Sequence, residues 1–201
     1  GDSYNLRWGT PSTYLIRDPS AWYHFVLAVD STQGTQSNRA KIYINGVNVS
    51  SDFTQTNSPT QNDDFHVNTS SQLQQIGRSQ NNNNYYDGYL AEFVMIDGSA
   101  LAPTSFGEFD EDSGIWKPID VSDLTFGTNG FYLDFKTSDT LGNDAFGGTD
   151  FSNNNLAATD QSMDTCTNNF ETMNPLTKGP DITISEGNIN VSKDNSDNSI
   201  L

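Results

Sequence analysis

The sequence predicts an all-β protein of short antiparallel strands, and three observations support this class. Gly, Asn, Ser, Thr and Asp are abundant, while long helical stretches of Ala, Leu, Glu and Lys are absent. Aromatic and β-branched residues gather in short runs separated by polar turns, as expected of strands. Two of these runs flank Asn45-Gly46, a dipeptide that favours the type I′ turn of a β-hairpin.

Charge and composition exclude several partners. The chain has 26 Asp and Glu against 9 Lys and Arg, a formal net charge of -17. Such a field repels phosphate backbones and anionic membranes, so nucleic acid is not an expected partner. No apolar run approaches the ~20 residues of a membrane helix, so membrane insertion is not expected. Calcium is the cation to consider, because it takes carboxylate and carbonyl oxygens.

The first strong strand is predicted from Trp22 to Val29, after Asp18-Pro19, which disfavours helix. Alternation puts Trp22, His24, Val26 and Ala28 on one face and the intervening apolar residues on the other. Both faces are apolar enough to be covered, which predicts a central strand. A polar loop then leads to the Asn45-Gly46 hairpin.

A second strand is predicted in "YDGYLAEFVMIDGSAL", residues 86–101, ending at Asp97-Gly98. Alternation places Glu92 on the same face as Leu90 and Val94. As a general acid, Glu92 would need a second carboxylate about 5 to 9 Å away, and its own strand offers none. A structural Glu92, bound by backbone donors, His24 or an Arg, is the favoured interpretation. One helical turn is expected after it, beginning near Pro103.

The chain divides into two predicted domains at about residue 128. Residues 1–128 form the first, closing with an acidic, turn-rich linker at residues 110–128 in which Trp116 is the expected anchor. Residues 129–201 form a β-rich segment with an extended connector, "TNNFETMNPLTKGP", and a hairpin about Glu186-Gly187. The ends of the sequence suggest a piece of a longer protein.

The segments "AWYHFVLAVDST", "KIYINGVNV", "IGRS" and "YDGYLAEFVMIDGSALAPTSFGEF" resemble laminin-G-like domains of the concanavalin A-like jelly-roll superfamily in order and spacing. The resemblance covers residues 3–109. It implies an antiparallel jelly-roll β-sandwich whose first strands precede Gly1, followed by a partial second β-rich module. It also implies that Trp22 packs in the core between two sheets.

A second resemblance extends over most of the chain. "DGYLAEFVMIDGSAL", "GIWKP", "GTNGFYLDF" and "TNNFETMNPL" resemble large structural proteins of bacteriophages, particularly marine ones. This implies a non-enzymatic part of a tail fibre or other virion appendage. Its partners would be other virion proteins, further copies of itself and host-surface polysaccharide. Two alternatives stay open: a glycan-cleaving enzyme on the same fold, and a secreted bacterial adhesin that depends on calcium.

Carbohydrate binding needs an aromatic face to stack on a sugar ring and amides to bind its hydroxyls. The stretch "QNNNNYYDG" offers both, in Asn82, Asn83, Asn84, Tyr85 and Tyr86. A merely solvated turn is the competing interpretation. If the stretch binds sugar, at least one of the two tyrosines must be exposed.

Other acidic and nucleophilic residues give weaker predictions. The calcium ligands would be Asp139, Asn143, Asp144 and Asp150, although a solvated acidic loop is the favoured interpretation. Glu108, Asp110 and Asp112 alternate as in the catalytic strand of some glucanases, but Glu111 intervenes and Gly114 follows, which favours a solvated turn. His24, His66 and Cys166 have no partner motif and are expected to be structural.

Overall fold

The computed structural model describes residues 6–11, 16–18, 21–65, 67, 73–78, 84–162, 165–166, 178–185 and 190–193. The strands of these residues are β1 (Arg7–Pro11), β2 (Phe25–Val29), β3 (Ala40–Ile44), β4 (Val47–Asn48), β5 (Phe53–Asn57), β6 (Phe93–Met95), β7 (Gly107–Phe109), β8 (Trp116–Pro118), β9 (Phe131–Leu133), β10 (Ile182–Ser185) and β11 (Asn190–Lys193). Single 3₁₀ turns lie at Gln36–Asn38, Ser50–Asp52, Pro103–Ser105, Ser138–Thr140 and Ala158–Asp160.

Every pairing among these strands is antiparallel, and they form the sheets β1–β5, β2–β3–β4, β6–β9, β7–β8 and β10–β11. The predicted all-β, antiparallel class is therefore confirmed. The turn predicted near Pro103 is present as Pro103–Ser105. The hairpin predicted at the C-terminal end is present as β10–β11, with its turn outside the described residues. In this part of the chain, no helix has the length and apolarity to cross a membrane.

The predicted type I′ turn is confirmed at Asn45-Gly46. Both residues have positive φ, 48° and 77°, as that turn requires. The Asn45 N–H donates to the His24 carbonyl over 2.8 Å. The His24 N–H in turn donates to the Asn45 Oδ1, also over 2.8 Å. The turn therefore closes the β3–β4 hairpin and also holds the residue just before β2.

Strand β3 lies between β2 and β4 and supplies the first core. Ile42 and Ile44 of β3 are buried together with Val49, and Trp8, Tyr23 and Phe53 pack against them. Trp8 and Phe53 belong to the β1–β5 sheet, so this sheet covers one face of the β2–β3–β4 sheet, as in a β-sandwich.

Two expectations about this region are wrong. Trp8 is the tryptophan of the core cluster, whereas Trp22 is half-buried and precedes β2. Within the described residues β2 pairs only with β3 and so is an edge strand, not a central one. Phe25 and Leu27 of β2 are 58% and 48% exposed. Strand alternation alone does not reveal this exposure.

The long strand predicted over residues 86–96 is realised only as β6. Glu92 has a φ of 57°, in the left-handed region that L-residues rarely adopt. This conformation breaks the extended run immediately before Phe93. Tyr89 and Leu90, on the N-terminal side of the break, are 48% and 43% exposed.

Strand β6 pairs with β9, which lies beyond the boundary predicted near residue 128. Aromatic contacts also cross this point: the Phe126 ring lies 6.1 Å from Tyr132 and 4.4 Å from Phe146 between centroids. Phe126 and Leu133 are buried on either side of it. The division into domains stays a prediction, and the two parts share one sheet and a second apolar cluster.

Trp116 of β8 fixes the β7–β8 hairpin against the first hairpin, as its predicted anchoring role requires. Its ring fills the space in which a side chain on Gly46 would lie. A Cβ on Gly107 would also lie only 2.6 Å from the Trp116 Cε2. The indole therefore needs a glycine on each side.

Replacing Gly46 by Ala should destabilise the protein. The substitution combines left-handed strain of about 1–2 kcal/mol with overpacking of about 1–3 kcal/mol against Trp116. We expect the free energy of unfolding, measured by urea denaturation, to fall by about 2–5 kcal/mol.

The matched control is Gly114→Ala. Gly114 also has a positive φ, 68°, but its Cβ would meet nothing within 4 Å. Only the strain of about 1–2 kcal/mol should appear. If both variants lost the same free energy of unfolding, the contact between position 46 and the Trp116 ring would add no cost of its own.

Candidate functional site

The tyrosine loop, residues 84–90, carries the predicted sugar-binding residues that the structure describes. Tyr85 and Tyr86 are 66% and 55% exposed, and Asn84 is also exposed. The expectation that at least one tyrosine is exposed is met by both. Asn82 and Asn83 lie outside the described residues.

Tyr86 has a fixed orientation although it is exposed. Its hydroxyl donates to the Tyr89 carbonyl over 3.0 Å, and its N–H donates to the Gly77 carbonyl over 2.7 Å. Its ring passes so close to Gly88 that a Cβ there would lie 2.9 Å from the Tyr86 hydroxyl oxygen. A ring held in this way loses little conformational entropy when a ligand stacks on it.

The predicted calcium ligands do different things in the structure. Asp144 is buried and accepts from the N–H groups of Tyr132 (2.8 Å), Phe146 (3.1 Å) and Gly148 (2.9 Å). The Asp144 N–H donates to Asp150 Oδ1 over 2.9 Å. Both carboxylate oxygens of Asp144 therefore accept hydrogen bonds from backbone N–H groups, which stabilises the loop around Asp144.

Asp139 is exposed on the turn Ser138–Thr140, and the Asn143 N–H donates to the Thr140 carbonyl over 2.9 Å. In the part of the chain that the structure describes, no three His, Cys, Asp or Glu side chains are grouped so that they could hold a metal ion. The calcium site stays a prediction.

Glu92 is bound by a residue that the sequence did not indicate. The Tyr132 hydroxyl, on β9, donates to Glu92 Oε2. Tyr132 is the register partner of Val94, so its side chain extends from the β6–β9 sheet to reach Glu92, just before β6. Burial, the hydrogen bond to Glu92 and the charges of Glu92, Asp134 and Asp120 raise the pKa of Tyr132. The phenol therefore stays protonated and remains a donor.

The three alternating acids lie in and beside the β7–β8 hairpin. Lys117 Nζ contacts Asp110 Oδ2 at 3.0 Å and Glu108 Oε1 at 3.4 Å, all at the surface. Asp110 Oδ1 accepts from the Ser113 N–H over 2.9 Å, which closes the turn. Hydrogen bonds from Ser113 and Lys117 lower the pKa of Asp110. Asp112 lies exposed in that turn, which fits the solvated-turn interpretation.

His24 lies in the contact between the first hairpin and β8. Its ring is 5.7 Å from the Trp116 ring between centroids. His24 Nδ1 and Trp116 Nε1 are both buried and have no hydrogen-bond partner among the described residues. Burial lowers the pKa of His24. Of the other residues expected to be inert, Cys166 is half-buried and forms no disulfide, as the single cysteine of the chain, and His66 lies outside the described residues.

Sequence reasoning missed a cleft of about 280 Å³ on the β2–β3–β4 sheet. Strand alternation puts Lys41 and Tyr43 on the face opposite to the buried Ile42 and Ile44. The lining residues are Ala28, Asp30, Gln33, Asn38, Lys41, Tyr43 and residues 100–102. The polar outer face of "KIYI" was the available signal, but nothing in the sequence places residues 100–102 beside it.

Antiparallel sheets that pack on one another around an apolar core place the chain in the class of β-sandwich proteins. A family model described as the concanavalin A-like lectin/glucanases superfamily, of laminin-G type, matches residues 3–104, just over half of the chain. The chain belongs to this superfamily, whose fold commonly binds carbohydrate. Neither the curated proteins nor the solved structures gave a match.

The buried position of His24 should make the stability depend on pH. Because burial lowers its pKa from the ordinary 6.5, the unfolded chain takes up the proton first as the pH falls. Stability from this group is complete above about pH 6.5 and is lost below it. Urea unfolding between pH 7.5 and 5.5 should show the decline.

His24→Phe keeps a ring beside Trp116 and removes the titration, so the decline should be smaller in this variant. The chain has two histidines, which makes His66→Gln the matched control; it should keep the decline of the wild type. A decline of the same size in wild type and His24→Phe would contradict the assignment.

Proposed function

We propose that this chain is a non-enzymatic carbohydrate-binding module that contacts glycans through the tyrosine loop. The fixed, exposed ring of Tyr86 is the observation that carries the proposal. Such a ring suits the apolar face of a sugar, and Asn84 and Tyr85 beside it supply polar groups for hydroxyls. Membership of the superfamily supports the same class of ligand.

We propose no catalytic activity because the candidate acidic residues already bind other groups of the protein. Glu92 is engaged by Tyr132, and Glu108 and Asp110 share Lys117. A catalytic pair must instead face a bound glycosidic bond from two sides. Carboxylates that already accept from protein donors are better suited to support the fold.

We further propose that the module works in an oligomeric appendage of a bacteriophage particle, with other virion proteins and copies of itself as partners. The support is the resemblance of its sequence to phage structural proteins. One open loop gives weak contact, but repetition on a single particle raises the effective concentration of each further contact. Detection of the chain in purified particles by mass spectrometry would test this placement.

Removing both tyrosines should weaken glycan binding. In affinity electrophoresis against a panel of soluble bacterial and algal polysaccharides, we expect the wild type to be retarded by at least one of them. Tyr85→Ala/Tyr86→Ala should lose about tenfold in affinity, equivalent to about 1.4 kcal/mol. The stacking contact is lost while the fold, checked by circular dichroism, is kept.

Phe25→Ala is the control, because Phe25 is a similarly exposed aromatic residue on β2. It should bind as the wild type does. Retardation that is the same in all three proteins would exclude the tyrosine loop as the contact.

A glycan-cleaving enzyme is the main alternative. Its candidate acids are Glu92 and Asp134, whose charges, after burial and the hydrogen bond to Glu92, contribute to the raised pKa of Tyr132. If they act as a catalytic pair, incubation with the retarding polysaccharide should release reducing ends, and Glu92→Gln should abolish this release. We expect no release from either protein.

A calcium-dependent adhesin is the third possibility, with Asp139, Asn143, Asp144 and Asp150 as ligands. It would show as a higher melting temperature in calcium than in EGTA. Against this function, the Asp144 carboxylate already accepts hydrogen bonds from three backbone N–H groups, so it can stabilise its loop without a calcium ion.

A further inference from the structure

The cleft on the outer face of β3 combines a cation with unused polar groups. Lys41 makes no ion pair within the described residues, whereas Lys117 and Lys136 both contact carboxylates. Lys41 is one of several bases without an ion pair in the described part of the chain, but it is the base that lines the cleft. A cation of this kind in a concave site is available to an anionic ligand.

The acid that shares the cleft is directed elsewhere. Asp30 Oδ1 accepts from the Thr32 N–H over 3.0 Å and the Thr32 hydroxyl over 2.6 Å. Its Oδ2 accepts from Gln33 Nε2 over 2.6 Å. These bonds, led by the one from the Thr32 side chain, lower the pKa of Asp30. Asp30 therefore stays ionised and holds the loop that forms the rim.

Arg39 is a second cation, and it binds the same loop. Arg39 donates to the carbonyl oxygens of Gln33 (2.8 Å), Pro59 (2.9 Å) and Gly34 (3.1 Å), and no carboxylate pairs with it in the described part of the chain. The charged side chains that line the cleft are Asp30, which is bonded within its own loop, and Lys41.

The remaining groups suit a sugar. The Asn38 amide and the Tyr43 hydroxyl have no hydrogen-bond partner in the described residues, and Gln33 keeps its Oε1 free. Tyr43 lies two residues from Lys41 on one strand, so an aromatic ring and an ammonium group stand side by side. The volume of about 280 Å³ lies just below the ~300–1,000 Å³ of ligand pockets and suits one sugar unit.

We propose that this cleft binds a single saccharide unit bearing an anionic group, either the carboxylate of a uronic acid or a sulfate ester. Lys41 Nζ contacts the anion, the Tyr43 ring packs on the sugar, and Asn38 and Gln33 bind hydroxyls. The site adds charge selectivity to the glycan binding proposed above, and it does not depend on the tyrosine loop.

The test compares three small probes by isothermal titration and by ¹H–¹⁵N NMR of the full chain: glucuronic acid, glucose 6-sulfate and glucose. We expect at least one charged probe to bind about tenfold or more tightly than glucose. Amide shifts should centre on residues 30–43 and 100–102. Added salt should reduce the difference, because the Lys41 contact is screened.

Four variants locate the contact. Lys41→Met keeps the stem and should abolish the preference for the charged probe, while Lys41→Arg should keep it. Asn38→Ala, on the exposed turn that precedes β3, should weaken all three probes and gives a second measure if Lys41→Met fails to fold. Tyr85→Ala/Tyr86→Ala should leave all three affinities unchanged.

Preference for glucuronic acid alone, for glucose 6-sulfate alone or for both supports the proposal and identifies the anionic group. Equal affinity for glucose and the charged probes overturns it, as does a preference that survives Lys41→Met. The proposal would also be overturned if Tyr85→Ala/Tyr86→Ala lost binding of the charged probes while Lys41→Met bound them as the wild type does. In that case the tyrosine loop would remain the glycan contact.

Discussion

The two faces of β3 are used for different purposes, and the rest of the N-terminal part depends on which residue lies on which face. Ile42 and Ile44 point into the core, where Trp8 and Phe53 cover them, while Lys41 and Tyr43 point to the cleft. A slip of one residue in the register would exchange the two sets and bury a lysine. The Asn45-Gly46 turn prevents this, because its two positive φ angles and its bonds to His24 allow one alignment of β2, β3 and β4.

The acidic residues explain how a chain of this charge holds irregular loops together. Asp30, Asp110 and Asp144 each accept two or more hydrogen bonds from N–H or hydroxyl groups of their own loops. Asp97 does the same across a longer separation, accepting from the Asn129 N–H over 3.1 Å and its amide over 3.0 Å. Backbone donors that strands leave unpaired are satisfied in this way, and burying such groups without partners would be costly. Much of the negative charge is therefore part of the scaffold.

Local patterns predicted local structure well. The I′ turn follows from Asn-Gly, the turn after Ala102 follows from Pro103, and the exposure of the tyrosine loop follows from its polar neighbours. Contacts between distant segments were not predictable in the same way. The β6–β9 pairing joins residues almost 40 positions apart, and the cleft needs residues 100–102 to meet the outer face of β3. Glu92 shows the limit within one strand: its pattern is extended, but the tertiary bond to Tyr132 accompanies a left-handed backbone.

The Asn45-Gly46 turn also bears on the chemical durability of the protein. An asparagine followed by glycine is prone to deamidation, because the unhindered glycine nitrogen can close a ring on the side-chain amide. Here the Asn45 Oδ1 is held by the His24 N–H, and the Trp116 indole lies over Gly46. The folded protein thus protects the Asn45-Gly46 peptide, which would deamidate readily in the unfolded chain. Deamidation there would yield aspartate, which can still accept from the His24 N–H, or isoaspartate, whose backbone is one carbon longer and would disrupt the turn that aligns β3. Chemical damage of the second kind would therefore be coupled to loss of the strand register at one bond.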